Sequence, residues 1–498
     1  MIKKKDLIGL IEPHLFNKIN DHEHIIEKIN PKKLVTFNRL DIGFKTLFLE
    51  LQSKNYSLAN KIYKNDLRVQ TKGSFVDPDN DEKDNFNLFK DVFVDIVNSL
   101  KKGGFNKKKS LIPVSKDGSI LNGAHRFSAA LHLNLDVWIV RTSLPSIYCD
   151  YNYFSKNLIP TEIIEMAVLK LLNYSNNTHI AFLWPSGEKN WEKSTRLFSN
   201  IIYKKDIDLT SHGAFNLLYK CYSHMHDWIG TKENNFKGIQ KKKIECFPSN
   251  FKVRYIIFQE PQGFEQVKKI KKKIREINNV GYSSIHITDN TMEITRLAHW
   301  LLNKNNFHFL NYTNNFDYIH SKKLKQLKIE MKNENILSED LIVDGSFVLE
   351  AYGLRKSNDL DILTAKSIKA NSLKNWERHD KELSYHGQTK EELIFNPNFY
   401  TNLFGFKIIS LDQLILFKKK RNHKKDILDI SLADAITTNK LFNSRLIKLR
   451  QNYLYFMLRS KQILFLLIIK ILKYIKLYEI IKKFKKDLIR IISKLFKH

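Results

Sequence analysis

Two carboxylates flanking one leucine, Asp359-Leu360-Asp361, lead a short apolar run, and a Gly345-Ser346 pair precedes them in LIVDGSFVLEAYGLRKSNDLDIL. Side chains alternate across a strand, so residues two apart leave on the same face. If Leu360 to Leu363 is a strand, both acids face one way and can share a divalent cation. Mg²⁺ accepts hard oxygen ligands and bridges phosphate oxygens. The Gly345-Ser346 turn lets backbone N–H groups approach a phosphate with no Cβ in the way, and the Ser346 hydroxyl adds a donor. The stretch specifies metal plus phosphate, with Mg²⁺ or Mn²⁺ as the ion.

The order Gly-Ser, helical segment, Asp-x-Asp resembles the nucleotidyltransferase superfamily over about residues 325–440. The later segment LFGFKIISLDQLILFKKKRNHKKDILDI is similar to that superfamily's distal Lys-rich helix. The resemblance implies a small mixed sheet carrying three carboxylates and a nucleoside triphosphate or nucleotide-activated donor. Asp359 and Asp361 would then be catalytic metal ligands, and Gly345 and Ser346 would hold phosphates. Arg355 or Lys356 would neutralise developing charge. The third acid should lie on a neighbouring strand. The expected strands, ELIFNPNFYTN and GFKIIS, offer only Glu391 and Glu392, so Glu392 is the expected third catalytic residue; a two-acid site is the alternative.

Residues 111–141, LIPVSKDGSILNGAHRFSAALHLNLDVWIVR, read as strand, turn at Asp117-Gly118, short strand, helix and strand. Gly123 at the helix entrance, followed by His125 and Arg126, gathers backbone donors, a helix dipole and a guanidinium around one point, which suits an anion. This resembles the ParB/sulfiredoxin superfamily over about residues 65–142, in which such a Gly-x-His-Arg turn contacts nucleotide phosphates. Ala124 stands where sulfiredoxins carry their catalytic cysteine, so sulfinic acid reduction is not implied. Other relatives bind DNA, cleave CTP or phosphorylate a small metabolite, and the motif does not choose among them.

From Asn177 to Asn311, apolar runs alternate with helical patterns: HIAFLWPSG, a helix from Trp191, FKVRYIIFQE, QVKKIKKKIREI, SSIHITD, MEITRLAHWLL, then FHFLNY. Alternation of this kind implies a parallel sheet with helical crossovers, a Rossmann-like layer. Ligands in such sheets bind at the carboxyl ends of strands, here near Ser186, Glu260, His286 and Asp289. His286, Asp289 and Glu293 can converge on one strand-to-helix turn as a second site, or form a capping box with Asp289 as N-cap. His224 and His226 are two apart on a helical pattern, which points them to different sides, so with His212 and Asp227 they read as core-edge or groove residues.

At 498 residues the chain has room for several cores. The expected organisation is multidomain, α/β and α+β: a helical region at 1–64, a ParB/sulfiredoxin-like domain at 65–160, a Rossmann-like domain at 161–320, a nucleotidyltransferase-fold domain at 321–445 and a basic amphipathic helical tail at 446–498. Three scattered cysteines without CxxC spacing indicate neither a zinc cage nor a disulfide framework, and fit a reducing cytoplasm. The start, MIKKKDLIGLIEPHLF, lacks the apolar region of an export signal. A net charge of +31 raises nucleic acid or an anionic membrane as a partner, but lysine-rich, Asn- and Ile-rich composition also follows from an AT-rich genome.

Residues 459–498 interleave basic residues with Leu, Ile, Phe and Tyr, against only Glu479 and Asp487 as acids. Their longest uncharged stretch, QILFLLII, is too short to span a bilayer, and the helical spacing predicts a basic amphipathic helix on an anionic membrane surface. The combined expectation is a cytoplasmic transferase, peripheral on the inner membrane face, acting on a small-molecule or glycan acceptor in a bacterial surface-glycan pathway. A nucleic-acid-binding or nucleic-acid-modifying protein is the alternative class, and a non-catalytic scaffold the third.

Overall fold

Strands β1 (Ile2–Lys3) and β2 (Glu23–His24) pair as a small antiparallel ladder, and β3 (Ile26–Ile29) begins a second sheet with β4 (Ile112–Val114) and β5 (Val137–Arg141). The structure is a computed structural model that describes residues 1–20, 22–77, 83–313, 322–333, 336–365, 376–403, 405–437, 441–474 and 477. It is mixed α/β with several sheets, and it divides into two compact units, Met1–Leu414 and Ile415–His498.

In the second sheet β4 and β5 are parallel, with helix Ala124–Leu133 as the crossover, and β3 adds antiparallel to the other edge of β5. Of the pattern read in 111–141, the two outer strands, the turn and the helix form, whereas the short strand before the helix is a single bridge between Val114 and Ile120. The first 64 residues are not wholly helical, however: they supply β3 as well as helix Asp41–Leu51 and the start of Tyr56–Gln70.

The middle segment corrects the expected parallel layer. Strands β6 (Thr178–Leu183), β7 (Asn200–Asp208), β8 (Lys252–Gln259) and β9 (Ile285–Ile287) lie in the order β7-β8-β6-β9, and every pairing is antiparallel. It is therefore not a Rossmann-type sheet. An apolar run specifies a strand but not its direction, and β7 announces itself only by Ile201-Ile202-Tyr203 before Lys204, Lys205 and Asp206. FHFLNY, expected as a strand, belongs to helix Lys304–Tyr312, whose N-cap Asn303 accepts hydrogen bonds from the amides of Asn305 and Asn306.

Helix Phe264–Asn278 follows its sequence pattern. Val267, Ile270 and Ile274 are buried at helical spacing against Ala181, Leu183, Ile256, Phe258, Ile285 and Ile287 of the sheet, while its lysines stay outside. Burial of each such side chain stabilises the fold by roughly 1.5–3 kcal/mol.

Five strands form the sheet on which the acids lie: β10 (Leu341–Asp344), β11 (Leu360–Thr364), β12 (Trp376–Arg378), β13 (Tyr400–Leu403) and β14 (Phe406–Ile409), in the order β12-β11-β10-β14-β13. The sheet is mixed: β10 runs antiparallel to β11 and parallel to β14, and β12 runs parallel to β11. The segment ELIF, expected as a strand, instead lies in helix Lys390–Phe395, capped by the Thr389 hydroxyl, which accepts from the Glu392 amide.

In the second unit the buried Lys418 ammonium lies 3.0 Å from Asp426 and 2.8 Å from Asp429, and Arg421 donates to both oxygens of Asp426. Helix Leu441–Tyr474 carries the first part of the basic tail; residues 475–476 and 478–498 lie outside the described residues. Ile463, Leu464, Phe465, Leu466, Leu467 and Ile468 are all exposed. Six consecutive residues pass more than once around a helix of 3.6 residues per turn, so the apolar surface there is a ring rather than a single stripe. No helix among the described residues is long and apolar enough to cross a membrane.

Candidate metal and phosphate site

Register aligns the acids. Asp344 on β10 lies opposite Asp361 on β11, and Asp361 lies opposite Glu377 on β12. Residues paired across a ladder share a face, so the three strands set a row of carboxylates, and Asp359, in the bend just before β11, adds a fourth. Carboxylate oxygens of Asp359, Asp361 and Glu377 all lie within 4.8 Å of one another. Asp359 and Glu377 are exposed and Asp361 is half-buried, so the group opens to solvent.

Gly345 makes this packing possible. Its φ is +67°, and a Cβ placed there would lie 1.8 Å from Asp361 Oδ2, so the carboxylate occupies the space a side chain would need. The turn continues into the short helix Phe347–Ala351, with the Val348 amide donating to Gly345 O at 3.3 Å and the Leu349 amide to Ser346 O at 3.1 Å.

Arg355 and Lys356 lie in the loop that leads to Asp359, with Arg355 Nη1 donating to Lys356 O at 3.0 Å. Buried Glu350 orders that loop: its Oε2 accepts from the Ser357 amide at 2.6 Å, from the Ser357 hydroxyl, and from Lys323 Nζ at 3.0 Å. On the other side, the Trp376 indole donates to Glu330 and anchors β12 at the residue before Glu377.

Behind the exposed acids is a buried cluster that sequence reading missed. Asp344 Oδ2 lies 2.7 Å from His379 Nδ1 and 2.9 Å from His386 Nε2. Burial alone would push the Asp344 carboxyl up, but hydrogen bonds from the two imidazoles outweigh it and hold the group below the usual carboxylate range. Burial likewise works against a charged His379, and the carboxylates of Asp344, Asp361 and Glu382 overcome it and raise the imidazole.

Asp361 behaves oppositely. Desolvation pushes it up to about 6, with the negative charges of Asp359, Asp344 and Glu377 adding to the rise and His379 opposing it. A partly desolvated acid crowded by like charges is relieved by a cation, and the all-carboxylate donor set suits a hard divalent ion.

Glu392 is not in this group. Its Oε2 accepts from Asn396 Nδ2 at 2.7 Å on its own helix, and the acid beside Asp361 is Glu377. The signal for Glu377 was WER, a three-residue strand behind a lysine- and serine-rich segment with no apolar run.

The motif near residue 123 borders a separate cavity of about 930 Å³, lined among others by Arg39, Lys45, Lys83, Gly123, His125 and Arg126. Gly123 has a φ of +75°, and a Cβ there would meet Ile112 Cδ1 at 2.7 Å. His125 is engaged already: Nε2 lies 2.8 Å from the Tyr63 hydroxyl and the ring stands edge-on to Phe93, with burial pushing its pKa well down. Arg126 Nη2 pairs with Glu12 at 3.2 Å. The floor includes a buried ion network missed in the sequence, in which Arg39 clamps Asp41 through two bonds and Lys45 pairs with Asp66 at 2.7 Å.

His286, Asp289 and Glu293 do not form a ligand set. His286 Nε2 lies 2.9 Å from Glu293 Oε1, while Glu293 Oε2 accepts from the Asp289 amide. The N-cap is Asn290, not Asp289, and the Asp289 carboxylate turns to Lys271 at 3.3 Å. This is a capping arrangement. No family model, curated protein or solved structure matches this chain.

Proposed function

We propose that the chain is a Mg²⁺- or Mn²⁺-dependent nucleotidyl- or phospho-group transferase whose nucleotidyltransferase-like domain uses a nucleoside triphosphate or nucleotide-activated donor. The observation that carries this reading is the convergence of Asp359, Asp361 and Glu377 beside the Gly345-Ser346 turn. The three carboxylates would hold the ion, which when bound supplies charge neutralisation at the donor's phosphate oxygens. Ser346 and the backbone of its turn, next to the Gly345 that packs on Asp361, would orient the phosphates. Arg355 and Lys356, on the loop fixed by Glu350 and Ser357, stabilise negative charge that builds on the transferred group. Catalysis in this scheme is positioning and electrostatics, with the acceptor hydroxyl or phosphate brought in line.

The cavity at Gly123 would serve as a second anion site in a ParB/sulfiredoxin-like domain, with Lys72, Lys83 and Arg126 among its lining and the Arg39–Asp41 and Lys45–Asp66 pairs balancing charge beneath it. The exposed apolar ring of helix Leu441–Tyr474, bordered by Arg459, Lys461, Lys470 and Lys473, supports attachment to an anionic membrane surface, worth about 1 kcal/mol per basic residue near the headgroups. A cytoplasmic, peripheral enzyme transferring to a small-molecule or glycan acceptor in bacterial surface-glycan assembly fits these parts.

Incubation with each labelled nucleoside triphosphate and Mg²⁺, with a panel of sugar and glycan acceptors, tests the reading. Release of pyrophosphate or nucleoside diphosphate that Asp361→Asn removes supports it. Release that survives Asp359→Asn and Asp361→Asn but disappears in His125→Ala would move the chemistry to the amino-terminal domain.

A further inference from the structure

A chain of side chains runs from the core to the acid cluster. Gln413 Nε2 lies 2.9 Å from His386 O and 3.3 Å from His386 Nδ1; His386 Nε2 and His379 Nδ1 both meet Asp344 Oδ2; His379 Nε2 then lies 3.3 Å from Glu382 Oε2 and 3.9 Å from Asp361 Oδ2. A carboxylate oxygen only accepts, so His379 carries a proton on Nδ1 and His386 on Nε2. The Gln413 amide donates to the His386 carbonyl oxygen and lies against the remaining ring nitrogen, which holds the ring in place. Every group behind His379 is thereby assigned one orientation, and the Nε2 edge of His379 is directed at the wall of the cluster.

Asp344 is fully buried and His386 nearly so, whereas Asp361 is partly open. Asp344 faces Asp361 across the ladder, and His379 is the side chain that touches both carboxylates. Groups that orient ligands without touching the ion commonly change metal affinity by 10–100-fold when removed.

We propose that His379, clamped at Nδ1 by Asp344, is a positioning residue whose Nε2 edge fixes the carboxylate of Asp361 for divalent-metal binding. The inference rests on the metal-site reading above and assigns the site a support outside the Gly-Ser and Asp-x-Asp pattern. His379 Nε2 lies 3.9 Å from the same Oδ2 atom that lies against Gly345, so the carboxylate is bounded on two sides. In that position it meets the carboxylates of Asp359 and Glu377 within 4.8 Å.

Two substitutions separate this role from a packing role, because asparagine places an amide nitrogen near the position of Nδ1 and glutamine near that of Nε2. Mn²⁺ binding to the full chain is measured by titration calorimetry, with thermal unfolding as the control, for wild type, Asp361→Asn, His379→Asn and His379→Gln. His379→Asn keeps the hold on Asp344 and loses the arm, so Mn²⁺ affinity should fall about 10-fold or more while unfolding stays close to wild type. His379→Gln keeps the arm and should retain affinity within about threefold even where it unfolds earlier. Equal affinity in both variants and wild type, or loss in His379→Gln with retention in His379→Asn, overturns the assignment. If His379→Asn does not fold, the His379→Gln affinity alone decides. A wild-type chain whose Mn²⁺ binding is absent or indifferent to Asp361→Asn overturns the metal reading itself, a result distinct from failure of the His379 assignment.

Discussion

Gly345 and Asp361 share one volume: the carboxylate Oδ2 of Asp361 lies 1.8 Å from where a Cβ on Gly345 would sit, at a backbone φ of +67°. The turn and the acid are therefore a single device, contributed by two strands that are neighbours in the sheet but separated in sequence by the loop that carries Arg355 and Lys356. Gly345→Ala must both strain the backbone, by about 1–2 kcal/mol, and displace the carboxylate. Thermal unfolding should shift down by several degrees and Mn²⁺ affinity should fall at least about tenfold; calorimetry of the variant checks both.

Glu377 and Glu392 differ in what they face. Glu377 is paired in register with Asp361, and Glu392 accepts from Asn396 on its own helix. Glu377→Gln is expected to lower transferase turnover by about tenfold or more, in the range of losing a charged group at a developing charge, and Glu392→Gln to leave turnover within about twofold, as for surface substitutions away from a site. Steady-state rates at saturating Mg²⁺ compare the two.

The Asp66 carboxyl gives the amino-terminal cavity a pH signature. Burial pushes it up to about 6, against the attraction of Lys45 and with the repulsion of Asp41. A folded-state pKa above the unfolded value of 3.8 means that the stability from this group is present at low pH and is lost as pH rises through about 6. The unfolding temperature of wild type relative to Asp66→Asn should accordingly decrease between pH 5 and pH 7.5. Thermal scans of both proteins across that window make the comparison, and a difference that stays flat or grows with pH contradicts it.

Ile274 is fully buried on the helix that covers the middle sheet. Ile274→Ala should cost about 2–5 kcal/mol through lost transfer energy and a residual cavity. Because the residue is remote in role from the acids, Mn²⁺ affinity measured below the unfolding temperature should be unchanged.

Local pattern made Asp359, Asp361, Gly345 and the Gly123 turn legible, because strand alternation and positive-φ glycines leave short signatures in sequence. Strand direction does not: the runs that became β6, β8 and β9 look alike whether parallel or antiparallel, and the middle sheet is antiparallel because β7 and the helices between β7 and β8 reverse the chain. Glu377, His379, His386 and Asp344 come together only through register across β10, β11 and β12 and the segment that follows, a relation among residues up to 42 positions apart. The apolar run after Glu392 reads as strand in sequence, whereas Thr389 caps it as helix. The Asp289 turn was half legible: Glu293 reaches back to a backbone amide as a capping box requires, but Asn290 is the cap.

The central claim, that Asp359, Asp361 and Glu377 together hold one divalent ion beside a bound triphosphate, is tested most directly by Mn²⁺ paramagnetic resonance titration with and without a nucleoside triphosphate. The account predicts one ion per chain in wild type, bound more tightly with nucleotide and weakened about tenfold or more in Asp359→Asn, Asp361→Asn and Glu377→Gln alike. Mn²⁺ affinity that is the same in wild type and all three variants contradicts it.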